Sequence, residues 1–231
     1  MSGDARRVIV LTGAFGVLGR AVAATLAVHG MRVAMVDQAP APADAQPAGV
    51  LLYGGVDLAQ DEAANALMQR VAAEAGRLDG LVNAAGGFSW ETLDGGTLAT
   101  WDFMYRLNLR TAVMACQAAL PYLFASGHGR IVNIGAMGAI KAGAGMGPYA
   151  ASKAGVAKLT ESLAEELKDR GVTVNAVLPS ILDTPRNRHD MPDADSSRWV
   201  APAAVADVIA FLLSDAASAV TGALIPVAGR V

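Results

Sequence analysis

A chain of 231 residues is long enough to bury a full hydrophobic core, and residues 1–231 are expected to form one domain. Hydrophobic residues make up 53% of it and charged residues 17%, which excludes a disordered polypeptide and suits a closely packed α/β protein. A formal net charge of −3 supplies no attraction to nucleic acid or to an anionic membrane, so the expected partner is a small molecule.

The opening MSGDARR enters the apolar strand 7–11 (RVIVL) at once, too short a lead for a signal peptide, and the expected location is cytoplasmic. The strand is followed by 12–19 (TGAFGVLG) and then by an apolar helix, 20–28. Strand, glycine-rich turn and helix in succession make a dinucleotide-binding start. Gly13, Gly16 and Gly19 let the turn close and let the backbone approach a pyrophosphate, whose charge the helix N-terminus meets. Phe15 and Leu18 share the turn and are expected to contact the cofactor with it.

The second strand, 32–36, ends in Asp37, eighteen residues after Gly19. A carboxylate there accepts hydrogen bonds from adenosine ribose hydroxyls and repels a 2′-phosphate. Gln38 and Ala39 follow, neither of them a cation that could take that phosphate, so NAD is expected over NADP. Residues 38–49 are rich in Ala and Pro without helical period and read as a surface connection. A third strand over 50–56 ends at Asp57-Leu58, and a helix over 61–76 ends in glycine, a common stop.

The fourth strand, 78–82, leads into Asn83-Ala84-Ala85-Gly86, where small residues suit close backbone approach. Residues 87–100 form a loop carrying Phe88 and Trp90 toward the expected site mouth, with Trp90 a candidate substrate contact. Residues 101–120 read as one or two helices containing Asn108. The stretch 111–129 has no charge, but Gln117, Pro121, Ser126 and His128 make it a buried helix and turn, not a membrane span. Cys116, the one cysteine, is expected to be a buried thiol and not a nucleophile, and no metal site is expected.

A buried strand over 130–135 precedes the helix 147–167 (GPYAASKAGVAKLTESLAEEL). Its apolar residues Ala150, Ala154, Val156, Leu159, Leu163 and Leu167 recur at helical spacing, and Pro148 sits where a helix can start. Tyr149 and Lys153, four apart, share one face. A phenol near pKa 10 is a poor acid–base group at pH 7, and an adjacent ammonium favours the phenolate. An ordinary surface Tyr–Lys pair has the same spacing. A strand over 172–178 then reaches Pro179, a polar, Pro-flanked segment over 185–200 reads as a substrate lid, and a helix (201–213) and a strand (220–227) complete the chain. Six or seven strands alternating with helices give the expected α/β fold: a single Rossmann-type doubly wound parallel sheet flanked by helices, with ligand at the carboxyl ends of the strands.

The Tyr149-x-x-x-Lys153 helix between RIVNIG and VTVNAVLP, with NAAG and the glycine turn upstream, resembles the short-chain dehydrogenase/reductase family. The resemblance implies that Tyr149 is the acid–base group and that Lys153 lowers its pKa and holds the cofactor ribose. It implies that Asn108 holds a water connecting Lys153 to solvent. It also implies that Asp57 and Leu58 meet adenine and that Asn83, Ala84 and Ala85 stabilise the sheet and pass beside the cofactor. Pro179, Ile181 and Thr184 fall near the nicotinamide, Thr184 at its carboxamide. Homodimers or homotetramers built on the Tyr149 helix and its neighbour are implied too.

Two departures stand out. The family's common glycine pattern would put glycine at position 17, where this chain has Val17, with Gly16 beside it. The family's serine, thirteen residues before the tyrosine, is here Ala136, the expected substrate neighbour. Losing one donor to a developing oxyanion costs about 3 kcal/mol. Residues 135–149 (GAMGAIKAGAGMGPY) and 177–199 (VLPSILDTPRNRHDMPDADSSRW) are similar to dihydropteridine reductases, which implies a quinonoid pterin as an alternative to a small carbonyl or hydroxyl substrate. A dinucleotide-binding protein of weak or no catalysis is the alternative of another class.

Overall fold

The computed structural model describes residues 6–43 and 49–231; the expectations for 1–5 and for 44–48 of the surface connection lie outside them. The described strands are β1 (Val8–Thr12), β2 (Arg32–Val36), β3 (Leu51–Tyr53), β4 (Gly80–Asn83), β5 (Gly129–Ile134), β6 (Val172–Pro179) and β7 (Leu224–Val227). They form one sheet in the order β3-β2-β1-β4-β5-β6-β7, every neighbouring pair parallel. The helices are α1 (Val17–Val28), α2 (Asp61–Ala75), α3 (Leu98–Met104), α4 (Thr111–Ser126), α5 (Gly147–Leu167), α6 (Pro185–Asp190) and α7 (Pro202–Leu213).

Continuous apolar runs become buried strands because both sheet faces are covered. The side chains alternate: Val8 and Val10, with Ala34 and Val36, pack with residues of α2, α4 and α5. Ile9 and Leu11, with Val33 and Met35, pack with residues of α1 and α7. The order reverses between β1 and β4, so a crevice opens there at the carboxyl ends, where a doubly wound sheet holds its ligand.

Several boundaries differ from the sequence reading. α1 starts at Val17, three residues early, because the extended Gly16 (φ −72°, ψ 171°) is followed directly by helix. The expected strand 50–56 shortens to β3, since it pairs only with β2 and the chain turns away at Gly54–Gly55. α4 runs through Pro121 to Ser126 and ends at Gly127 (φ 74°). The lid is not wholly irregular: Thr184 caps α6 by accepting from the Asn187 N–H at 3.1 Å, with Pro185 in its first turn. α3 and α4 are joined by a π-helical turn, Tyr105–Arg110, that carries the buried Asn108. Cys116 is buried and burial pushes its thiol up to about 12, which fits the expectation of an inert side chain. Among the described residues, no helix is long and apolar enough to cross a membrane, and no cluster of three or more His, Cys, Asp or Glu could hold a metal.

Candidate active site

A cleft of 640 Å³ lies at the carboxyl ends of the strands and runs from Asp37 and Asp57 past the glycine turn to Ala136, Tyr149 and Lys153. Gly13 (φ 61°) is where the turn folds onto β4's exit: a Cβ there would stand 2.6 Å from the Cα of Ala85. Thr12 completes the joint, its Oγ1 accepting from the Ala85 N–H at 3.0 Å. Gly16 is different. Its φ is ordinary and a Cβ would meet only the Gly13 carbonyl, at 3.5 Å, so the protein's own packing does not require glycine. What a side chain would fill is the cleft beside the uncapped N-terminus of α1, whose first amides lack intrahelical acceptors. That cradle fits a pyrophosphate, with Gly16 in place of a glycine at 17; Val17 lines the mouth as the first helical residue.

At one end, the Asp37 carboxylate accepts from the Phe15 N–H and the Ala39 N–H, each at 3.0 Å. Asp57 Oδ1 accepts from the Ala59 N–H at 3.0 Å, and Asp57 Oδ2 from the Arg106 guanidinium at 2.5 Å. Partial burial opposes ionisation of Asp57, but the Ala59 amide and Arg106 outweigh it and hold the carboxyl below its usual range. Asp37, Asp57, Arg106 and Lys153 are the charged side chains among the described lining residues.

At the other end, Lys153 is buried and its Nζ donates to the Ile134 carbonyl at 2.8 Å. Burial pulls the ammonium down to about 8 and pushes the Tyr149 phenol up to about 12. Removal from water is the cause in both groups, and the Lys153 ammonium is directed at the Ile134 carbonyl. Phe88 packs edge-on against the Tyr149 ring, centroids 4.9 Å apart at 77°. Ala136 is buried and adds no hydroxyl.

Asn108 sits behind the cleft. Its Oδ1 accepts from the Gly87 N–H at 2.9 Å, and its Nδ2 donates to Gly87 O (3.1 Å) and Ser152 Oγ (2.9 Å). Ser152 Oγ in turn donates to Tyr149 O at 2.7 Å. The π turn and α5 are thereby tied together around the segment after β4.

Of the residues singled out in the sequence, Gly13, Gly16, Leu18, Gly19, Leu58, Ala84, Ala85 and Pro179 join those already named along the cleft. Others are outside its lining. Phe15 offers its backbone to Asp37 while its side chain packs with the α1–α7 core. Asn83 points into the sheet and donates to Asn133 Oδ1 (2.9 Å) and Cys116 Sγ (3.2 Å), which leaves it no side-chain contact with the cleft. Ile181 accepts from the Val200 N–H at the base of the lid, and the Thr184 side chain caps α6. Trp90 lies on the rim, bonded through Nε1 to Ala144 O at 3.0 Å. The sequence reading missed Phe103, Leu107 and Thr111, although their spacing of four already marked one face, and it missed Arg106.

The profile of the short chain dehydrogenase family matches residues 7–195. Among curated relatives, the cis-4-hydroxycyclohexanecarboxylate dehydrogenase of Sinomonas cyclohexanicum is 36% identical over 242 residues, covering 97% of this chain and 96% of the relative. The 3-oxoacyl-[acyl-carrier-protein] reductase FabG of Thermotoga maritima is 31% identical over 238 residues, with 96% of each chain covered. Among solved structures, the aldohexose dehydrogenase of Thermoplasma acidophilum superposes with a TM-score of 0.88 at 27% identity, covering 97% of this chain and 93% of that one. With the match spanning most of the chain and the sheet and cleft arranged as described, this protein belongs to the short-chain dehydrogenase family of oxidoreductases.

Proposed function

We propose that the protein is an NAD-dependent oxidoreductase that moves a hydride between nicotinamide and a small carbonyl or hydroxyl compound, with Tyr149 as acid–base group. The observation that carries this reading is the continuity of one cleft from the Gly16 cradle to the Tyr149–Lys153 pair. Gly13, Gly16 and Gly19 would hold the pyrophosphate, Asp37 the adenosine ribose, and the bound cofactor would supply or accept the hydride. Tyr149 is neutral at working pH, so it can donate a proton to a carbonyl oxygen as charge develops there. Lys153, still charged at neutral pH, favours the phenolate left behind and would hold the cofactor ribose. Asn108 supports the proton path: its Oδ1 and Lys153 Nζ lie 2.6 and 3.2 Å from where a Gly86 Cβ would stand.

A second reading is favoured by Ala136. Without a hydroxyl at position 136 of the cleft lining, the site suits an acceptor already electron-poor through conjugation, such as a quinonoid pterin, which asks less polarisation of the protein. The test is NADH and NADPH oxidation against a panel of ketones and one quinonoid dihydropterin, with Tyr149→Phe alongside. Ketone reduction that survives Tyr149→Phe would overturn the role given to Tyr149. Binding of NADH without turnover of any acceptor would favour a non-catalytic dinucleotide-binding protein.

The same reading takes residues 1–231 as one domain with a lid at 185–200, in a cytoplasmic protein that assembles as a homodimer or homotetramer through α5 and its neighbour. A 23.6 kDa species by light scattering at micromolar concentration would contradict the assembly.

A further inference from the structure

Two arginines on the π turn grip the loop that follows β3. Arg110 Nε donates to the Ala59 carbonyl at 2.9 Å, and Arg106, four residues earlier, donates to the Asp57 carboxylate. Arg110 therefore holds the backbone of that loop, and Arg106 holds a side chain. The Arg106–Asp57 pair has its side chains 52% and 29% exposed, the kind of ion pair that contributes little to folding. Yet both side chains line the cleft, at the end away from Tyr149. Leu58, buried, and Val56 give that end an apolar wall on which a planar base can lie.

With nicotinamide beside Tyr149 and pyrophosphate at Gly16, the adenosine of a dinucleotide falls between Asp37 and Asp57. An adenine carries an exocyclic amine, a donor; a carboxylate is an acceptor and a guanidinium is not. The Asp57 carboxylate accepts from the Ala59 amide on one oxygen and from Arg106 on the other, with the Gln60 side chain a further partner, and these bonds fix its rotation while leaving it acceptor capacity. We propose that Arg106 is a positioning residue for base recognition: it holds the Asp57 carboxylate in the orientation that accepts the exocyclic amine of adenine, and so makes the site select an amino-bearing over an oxo-bearing base. This rests on the dinucleotide reading of the cleft.

The experiment is binding, independent of turnover. Dissociation constants of NADH and of its hypoxanthine analogue, in which an oxo group replaces the amine, are measured by fluorescence titration for wild type, Arg106→Ala and Arg106→Lys. Wild type should prefer NADH by about tenfold. Arg106→Ala should weaken NADH about fivefold or more and the analogue less than about twofold, with Arg106→Lys recovering much of the preference. Equal weakening of both dinucleotides would make Arg106 a structural residue and overturn the proposal, as would an unchanged NADH preference in Arg106→Ala. Wild type that binds neither dinucleotide would overturn the cofactor reading itself, and this proposal with it.

Discussion

The carboxylate of Asp37 accepts the Phe15 N–H at 3.0 Å, so a side chain that lines the cleft also holds the glycine turn against β2. In the function proposed above, selectivity for the cofactor and the shape of its cradle are joined in one residue.

Wild type should bind NADH at least tenfold tighter than NADPH, a gap of about 1.4 kcal/mol or more, because a 2′-phosphate would lie against Asp37. Asp37→Ala should narrow that gap and also cost about 1 kcal/mol of stability through the lost bond to Phe15. Asp37→Asn keeps an acceptor but removes the charge, so it should narrow the gap at a smaller cost in stability. Fluorescence titration and denaturant unfolding of the three proteins check this; equal affinity of wild type for the two cofactors would refute the assignment.

Ala136→Ser adds a donor to the cleft that Tyr149 also lines. Activity on simple ketones should rise about tenfold or more, while that on a quinonoid acceptor should stay nearly flat. Steady-state NADH oxidation with both acceptor classes distinguishes the two substrate readings. A fall on both would mean that the position does not face the reacting atoms.

Lys153 gives a pH dependence whose sign is fixed by its burial. Its folded pKa, about 8, is below the ordinary 10.5, so between those values the unfolded chain binds more protons and stability rises with pH. Below about pH 8 the whole penalty is present, about 3 kcal/mol for this shift. Lys153→Met should therefore stabilise the protein at pH 7, by less than that because Ile134 O loses its donor, and the gain should shrink toward pH 10. Urea unfolding at pH 7 and 9.5 tests the trend. In the reducing direction, wild-type turnover should decline as pH rises through about 8 and the ammonium proposed to favour the emerging phenolate is lost.

Gly145 has φ 73°, and a Cβ there would stand 2.2 Å from the Trp90 ring. Gly145→Ala should push Trp90 off Ala144 O and disturb the neighbouring bond from Glu91 N to Gly145 O, at a cost of about 1–2 kcal/mol. A change in tryptophan emission that disappears in a Trp90→Phe background would locate the effect; unchanged emission and stability would contradict it.

The sequence made some elements plain and hid others for physical reasons. α5 has the expected bounds because Pro148 marks its start and the apolar spacing persists to Leu167. β2 is as expected because its apolar run is bounded by Arg32 and Asp37. The spacing of Tyr149 and Lys153 put them on one face, but their electrostatics depend on how deeply α5 seats against β5, which spacing does not encode. The pairing of Asp57 with Arg106 spans 49 positions and arises only when the π turn comes to rest on the loop after β3. The π turn itself was invisible, since its residues carry an ordinary helical pattern and only the hydrogen-bond register sets it apart.

That register has an outcome for the tolerance of the chain to length changes. A π turn holds an extra residue, so the phase of α4 is offset by about 100° from a plain continuation of α3. Asn108 meets Gly87 and Ser152 while Ala112, Ala115, Ala119 and Leu123 stay buried because of this offset. Deleting any single residue between 105 and 110 would restore an unbroken α-helix and force a choice between the two: either the amide swings away from the segment after β4, or the apolar side of α4 turns outward. The exposed Tyr105 can be exchanged, but the residue count of the stretch is fixed.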